Sequence, residues 1–265
     1  MKTHRFLIGM ILLLVITACK KDENPTFPEQ LNTLKTGLTA SFDTLNIDLT
    51  ASASNLIAMI NDSAAIRTEM KSLFSQTSFV VEFSYITPQG IMKIIEPPLF
   101  YPTQGADIST QSHIIQGYQT KLPVLSSSFY AVENFWAAVD FHPVVNSGEV
   151  LGGVTALFLP EDILGRLIAP LVKNQTYEMW VMEKGGKVLY DQDSEEIGLN
   201  VLTDPVYAEF TELIAAAEKI NAESTGETTY SFYQTGTTTK VVKKTYWLTF
   251  TMYGTEWKLI WVKPE

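Results

Sequence analysis

Residues 79–95 read FVVEFSYITPQGIMKII and residues 177–190 read YEMWVMEKGGKVLY. Each is a pair of short apolar, β-branched and aromatic runs about a turn, Thr87-Pro88-Gln89-Gly90 in the first and Glu183-Lys184-Gly185-Gly186 in the second. Gly and Pro punctuate turns, whereas Val, Ile, Phe and Tyr suit a half-buried pleated surface, so both stretches predict β-hairpins. They recur about a hundred residues apart, which predicts two copies of one sheet-based unit.

The segments downstream of the two hairpins support the duplication. Gly105 to Tyr118 is polar and partly helical in pattern. Phe135 to His142 then alternates, with Phe135, Ala137, Val139 and Phe141 on one face and Trp136, Ala138, Asp140 and His142 on the other. A turn at Asn146-Ser147-Gly148 leads into a further strand, Val150 to Leu159. Pro160, with Glu161 and Asp162 in a first turn, opens a linking helix that Pro170 is expected to close early. In the second copy Asp204-Pro205 predicts a helix start, presenting Phe210, Leu213, Ile214, Ala217 and Ile220. Three strands come next, Thr228 to Tyr233, Val242 to Met252 and Glu256 to Val262.

Upstream of the first hairpin, apolar residues fall at 31, 34, 38, 42, 45 and 49, then at 56, 57, 60, 66, 70 and 73. Steps of three and four mark one face of a helix, and no proline interrupts residues 29–87. One helix of about 40 residues, roughly 60 Å long, is expected over 31–76. It would back both units. A freestanding coiled coil is the alternative, but the pattern lapses around Ala51 to Asn55 and charged pairs are few. The expected organisation is α+β, a long N-terminal helix backing two mostly antiparallel sheet units at 77–168 and 169–265.

The amino terminus bears on location. Lys2, His4 and Arg5 precede an apolar run, Phe6 to Ile16, followed by Thr17, Ala18 and Cys19. That is a signal peptide in outline, too short for the ~20 residues of a membrane-spanning helix. Ile16-Thr17-Ala18-Cys19 resembles the lipobox of prokaryotic lipoproteins, which implies removal of residues 1–18 and lipidation of Cys19, the only cysteine in the chain. An ordinary secretory signal with a stray cysteine is the alternative. Residues 19–30 are charged and hold prolines, as a tether would. Lys20-Lys-Asp-Glu23 is similar to the export signal of some surface-exposed lipoproteins.

The chain has 265 residues, 46% hydrophobic and 18% charged, enough for a folded core. With 19 basic and 29 acidic residues its net charge is −10, and loss of Lys2 and Arg5 with the signal would take it to −12. Such a surface repels phosphate backbones, which argues against nucleic-acid binding. One Cys and three His exclude an internal disulfide and a Cys-rich zinc site.

In the order and spacing of its pieces the chain resembles a double Cache sensor, the tandem PAS-like extracytoplasmic domain of prokaryotic receptors. The pieces in the first unit are Tyr85-Ile-Thr-Pro-Gln-Gly-Ile-Met-Lys93, Gly105-Ala-Asp-Ile-Ser-Thr-Gln111, Phe129-Tyr-Ala-Val-Glu133 and His142-Pro-Val-Val145. In the second they are Trp180 to Asp191, Glu196-Ile-Gly-Leu-Asn200, Asp204-Pro-Val-Tyr207 and Gly254-Thr-Glu-Trp-Lys-Leu259. The resemblance implies a small-molecule pocket in the first, membrane-distal unit. Family receptors continue through a membrane helix into an output module, whereas no apolar span follows Ile16. The expectation is therefore a lipid-anchored sensory protein without its own output domain, acting through a separate envelope signalling protein. A structural or assembly lipoprotein with a vestigial pocket is the competing reading, and an envelope hydrolase ranks below both.

The expected ligand contacts are Trp136, Asp140 and His142 on one strand face, with Tyr85, Tyr101, Tyr118, Phe129 and Tyr130 around them. Residues 77–160 contain no arginine and carry a net −4, and the Arg-x-Trp-aromatic pattern by which family members grip amino acids is missing. A neutral or cationic ligand is favoured over an anion. The second unit is expected to lack a ligand-sized cavity, since Trp247, Trp257 and Trp261 offer large core fillers. No catalytic site, cofactor or metal is expected. Asp140 and His142 have only His113 to help them bind a metal, Ser126-Ser127-Ser128 has no nearby base, and Asp191-Gln-Asp193-Ser-Glu195 lacks the glycine of a calcium loop and reads as a solvated hairpin exit.

Overall fold

The computed structural model describes residues 27–265. Its first helix, α1 (Glu29–Met59), buries Leu31, Leu34, Leu38, Phe42, Leu45, Leu49, Ser52 and Leu56, a single stripe in steps of three and four. The helix is not continuous over 31–76 as its apolar periodicity predicts, because a second helix, α2 (Ser63–Gln76), begins afresh after it. Asp62 makes the break. Its N–H donates to the Met59 carbonyl at 2.9 Å, while its carboxylate accepts from the N–H groups of Ala64 and Ala65 at 3.0 Å each. Capping two orphan donors is worth about 1 kcal/mol, enough to favour a new helix over continuation. The new direction lays Ile66, Met70 and Leu73 into the same core as the α1 stripe.

The first sheet comprises β1 (Val80–Ile86), β2 (Met92–Glu96), β3 (Val124–Leu125), β4 (Phe129–Tyr130), β5 (Trp136–Asn146) and β6 (Glu149–Phe158). Its order is β2-β1-β6-β5-β3, with β4 also pairing β5 and every pair antiparallel. A helix α3 (Ser112–Thr120) covers part of it, and α4 (Pro160–Val172) leads onward. The second sheet comprises β7 (Glu178–Glu183), β8 (Val188–Tyr190), β9 (Thr225–Tyr233), β10 (Lys240–Met252) and β11 (Thr255–Pro264), with α5 (Thr211–Ala222) before β9. Its order, β8-β7-β11-β10-β9, repeats that of the first. In both, the opening hairpin pairs through its first strand with the last strand of the unit.

Two local expectations change. Pro170 does not end α4, which runs to Val172, since a proline in the last turn forfeits only one backbone bond. Asp204-Pro205 opens only a 3-10 turn, Pro205–Tyr207, and α5 starts at Thr211. Asp204 is occupied in accepting the N–H of Asn200 at 2.5 Å, which closes the loop before the turn.

Phe42 lies where α1 meets both sheets. Its ring centroid is 5.8 Å from Phe79 and 5.5 Å from Phe158 on the first side, and 5.7 Å from Phe250 and 5.8 Å from Trp257 on the second. One hydrophobic cluster accordingly spans both units. Phe42→Ala should cost about 3–5 kcal/mol in urea unfolding, with Trp257 fluorescence and the first sheet's circular dichroism lost together. An unchanged midpoint would show that α1 is not the shared support.

Candidate functional site

Each sheet commits one face to α1, and a pocket of each unit opens on the other. In β5 that rule separates alternate residues. Ala138 and Val144 join the α1 core, whereas Ala137, Val139 and Phe141 belong to a second cluster beneath α3. Phe141 is fixed there between Gly117 of α3 and Gly153 of β6, where a Cβ would come within 2.3 Å and 2.2 Å of its ring.

Beside this cluster is a pocket of about 280 Å³, counting its open mouth, lined by Glu82, Ser84, His113, Phe129, Glu133 and Thr155 among others. Glu82 and Ser84 come from the outward face of β1, and Thr155 from β6 next to it. The hydroxyls of Ser84 and Thr155 are 2.5 Å apart. Glu82 is 1% exposed and faces the carboxyl of Glu133. Burial first, and then the neighbouring Glu133 carboxylate, push Glu82 up to about 9. Burial raises Glu133 as well, offset in part by hydrogen bonds from its own backbone, Glu82 and Thr103. Burial and their mutual repulsion therefore favour a proton held between the two carboxyls. Apart from the contact between the two carboxyls, Glu82 Oε2 and Glu133 Oε1 are buried without a hydrogen-bond partner among the described residues, and no Lys or Arg lines the pocket. Burial pushes His113 down to about 4, so its ring is neutral where it lies 5.3 Å from Phe129.

Of the residues expected to hold a ligand, the structure brings only Phe129 to this pocket. Asp140 and His142 share a strand face as the alternation predicts, but it is the face that α1 covers. His142 Nε2 is 3.3 Å from Asp140 Oδ1 and 3.2 Å from Asn46 Oδ1, and Thr50 of α1 lies 3.4 Å from its Nδ1. Burial raises the Asp140 carboxyl, with His142 opposing. Trp136 is 48% exposed at the start of β5, where the Lys187 ammonium sits 3.9 Å over its ring and Tyr130 meets its edge. The Tyr130 hydroxyl donates to the Asn134 carbonyl outside the pocket. Tyr85 donates to the Leu151 carbonyl and Tyr118 to that of Thr87. Tyr101 donates to Glu96 beneath the Arg67 guanidinium. Glu82, Glu133 and His113 were not expected as contacts, although Glu82 interrupts an apolar strand, Val80-Val81-Glu82-Phe83, and that interruption is the signal.

The second unit departs from expectation more sharply. It holds an open cleft of about 690 Å³, mouth included. Trp257 and Trp261 cannot fill it because they alternate onto the α1 side of β11, and Trp247 packs against Gly226 of β9. The stretch after β8, expected to be a solvated exit, supplies Asp191, Asp193 and Glu196 to the cleft wall. Cys19 and the apolar run before it lie outside the described residues, among which no helix is long and apolar enough to cross a membrane.

Residues 40–160 match the family model described as HK/GC/chemotaxis protein-like, sensor domain. Among solved structures, an extracellular ligand-binding receptor from Desulfohalobium retbaense superposes with a TM-score of 0.74 at 25% identity, over 91% of this chain and 40% of that one. The chain thus spans about two fifths of that receptor's length. The ligand-binding domain of the Pseudomonas aeruginosa amino acid chemoreceptor PctB, solved with L-Gln, superposes with a TM-score of 0.68 at 11% identity over 89% of each chain. That of the Pseudomonas fluorescens chemoreceptor CtaA, solved with L-alanine, gives 0.67 at 12% identity over 89% of this chain and 95% of that one. The fold is that of a double Cache sensor domain. No curated protein matches the chain in sequence. The two sheet units are the two Cache modules, and the matched residues run from α1 through the whole first module.

The Glu82 carboxyl makes this module sensitive to alkali. Because its folded pKa is raised, the stability tied to its protonated form is complete below the unfolded value near 4.5 and is lost as pH climbs toward about 9. Glu82→Gln should match the parent at pH 5 and exceed its melting temperature at pH 9 by at least about 2 °C, the shift that ~1 kcal/mol produces in a chain of this size. Identical pH profiles would show that the pair is not buried as described.

Proposed function

We propose that the protein is a lipid-anchored extracytoplasmic sensor that binds a small neutral or cationic molecule in its first Cache module and presents the bound state to a separate envelope partner. The observation that carries the ligand class is the buried Glu82–Glu133 pair, which has no cation beside it among the residues lining the pocket. Leaving such a group uncompensated is costly, and an ammonium or amide donor entering the pocket would satisfy it. The Ser84 and Thr155 hydroxyls and neutral His113 add hydrogen-bonding capacity, and Phe129 adds an apolar wall. An anion would meet like charge and no guanidinium. Structural neighbours bind amino acids, L-Gln in PctB and L-alanine in CtaA, so this fold accommodates ligands of that size.

The anchor is supported by the run Phe6 to Ile16 ending at Thr17-Ala18-Cys19. A lipid in one leaflet does not cross the bilayer, so a signal from such a protein must pass through another.

A thermal-shift panel of small amines, quaternary ammonium ions, amides, amino acids and dicarboxylates tests the pocket. A ligand at 100 times its Kd should stabilise the protein by about 2.7 kcal/mol. The hit should be neutral or cationic and bind about tenfold more weakly to Glu82→Gln, as expected for loss of one charge-assisted hydrogen bond. Tight dicarboxylate binding indifferent to that substitution would overturn the ligand class. For the anchor, Cys19→Ser should accumulate as unprocessed precursor. If it is cleaved and sediments with membranes like the parent, the protein is not a lipoprotein.

A further inference from the structure

The cleft of the second module is larger than the Glu82–Glu133 pocket, and its walls have a consistent chemistry. Trp180, Tyr207, Tyr230, Phe232 and Tyr233 supply aromatic surface, and the tip of the β9–β10 hairpin, residues 234–237, forms one lip. Glu178, Asp191, Asp193 and Glu196 supply carboxylates against one lysine, Lys243. That lysine is already committed. Buried on β10, it donates to Glu178 Oε2 at 2.9 Å. Tyr207 donates to Glu196. Asp191 accepts the Asp193 N–H through Oδ1 at 2.9 Å, and its other oxygen has no partner among the described residues.

From this geometry we infer that the second module carries a ligand site of its own, taking an organic cation with a flat or apolar body. The aromatic walls receive the body and hold a cation over their π faces, while Asp191 and Glu196 receive the ammonium. A bare metal ion is the poorer occupant. Among the described residues no three acidic or histidine groups converge as a metal requires, and aromatic walls offer such an ion no ligands. Burial, with the neighbouring carboxylates of Glu196 and Glu178, raises Asp191 to about 7 against the pull of the Asp193 N–H and Lys243, so it is a group that an arriving cation would ionise. The site is separate from the Glu82–Glu133 pocket. It shares no lining residue with it.

Phenethylamine, tyramine, tryptamine and histamine, with phenylacetate as the anionic control, are titrated by calorimetry at pH 8 into the full-length protein, Asp191→Asn and Glu82→Gln. Asparagine is isosteric with the protonated aspartic acid, so Asp191→Asn should fold, which its melting curve checks. At least one amine should bind with 1:1 stoichiometry, phenylacetate should not, and Asp191→Asn should weaken the amine by about tenfold or more while Glu82→Gln leaves it unchanged. Binding by none of the amines, equal binding to Asp191→Asn, or loss in Glu82→Gln alone would overturn the second site. The last result would assign the amine to the first module and leave that reading standing.

Discussion

The apolar stripe of α1 is the constraint on which the rest of the architecture depends. One helix face carries Leu31, Leu34, Leu38, Phe42, Leu45, Leu49 and Leu56, and two sheets compete for it. Both sheets pack their inner faces along this helix and meet at Phe42, with α2 completing the cover over β1 and β2 and α4 over β7 and β8. The aromatic contacts there join Phe158, the last residue of β6, to Trp257 of β11. Burial of that much apolar surface dominates over the modest interactions elsewhere, since each large side chain removed from water contributes about 1.5–3 kcal/mol.

Because α1 claims one face of each sheet, the outward faces must be closed by smaller pieces. In the first module these are α3, the 3-10 turn Pro98–Thr103 and the loop around Glu133, and in the second α5 with the segment after β8. Short covers leave gaps, and both gaps are acidic. The two modules share a strand order, yet the first encloses a tight carboxyl pair while the second opens an aromatic cleft. The two sheets have the same strand order, and their covers differ.

The modules also touch away from the helix, at a place that borders the first pocket. Ser126 accepts the N–H of Val139 at 2.9 Å, and two residues on, Ser128 donates its N–H to Glu183 Oε2 at 2.9 Å and accepts from Lys187 at 3.1 Å. Glu183 and Lys187 lie on either side of the β7–β8 turn, while Phe129 beside Ser128 lines the first pocket. Thr255 donates to the Leu125 carbonyl in the same region, and Trp136 stacks beneath Lys187. The serine run and the tryptophan, which resemble site residues in the sequence, hold the pocket's edge to the neighbouring module.

The sequence by itself determined the elements and their repetition. Periodicity of three and four residues marks α1, alternation marks β5, and Gly and Pro mark both hairpin turns, because these signals are carried by neighbours in the chain. The break at Asp62 is also legible, in Asn61-Asp62-Ser63, but the absence of proline outweighs it. What only the tertiary structure decided is which face of each sheet α1 takes. Alternation assigns Asp140 and His142 to one face of β5 and Val139 and Phe141 to the other, but a strand with side chains suited to burial on both sides does not say which faces a cavity. The same ambiguity on β10 and β11 sent Trp257 and Trp261 to the helix and Lys243 to the cleft. Charge pairing was hidden for a related reason, since Glu82 and Glu133 are far apart in the chain and are brought together only when β1 and the loop before β5 close on one another.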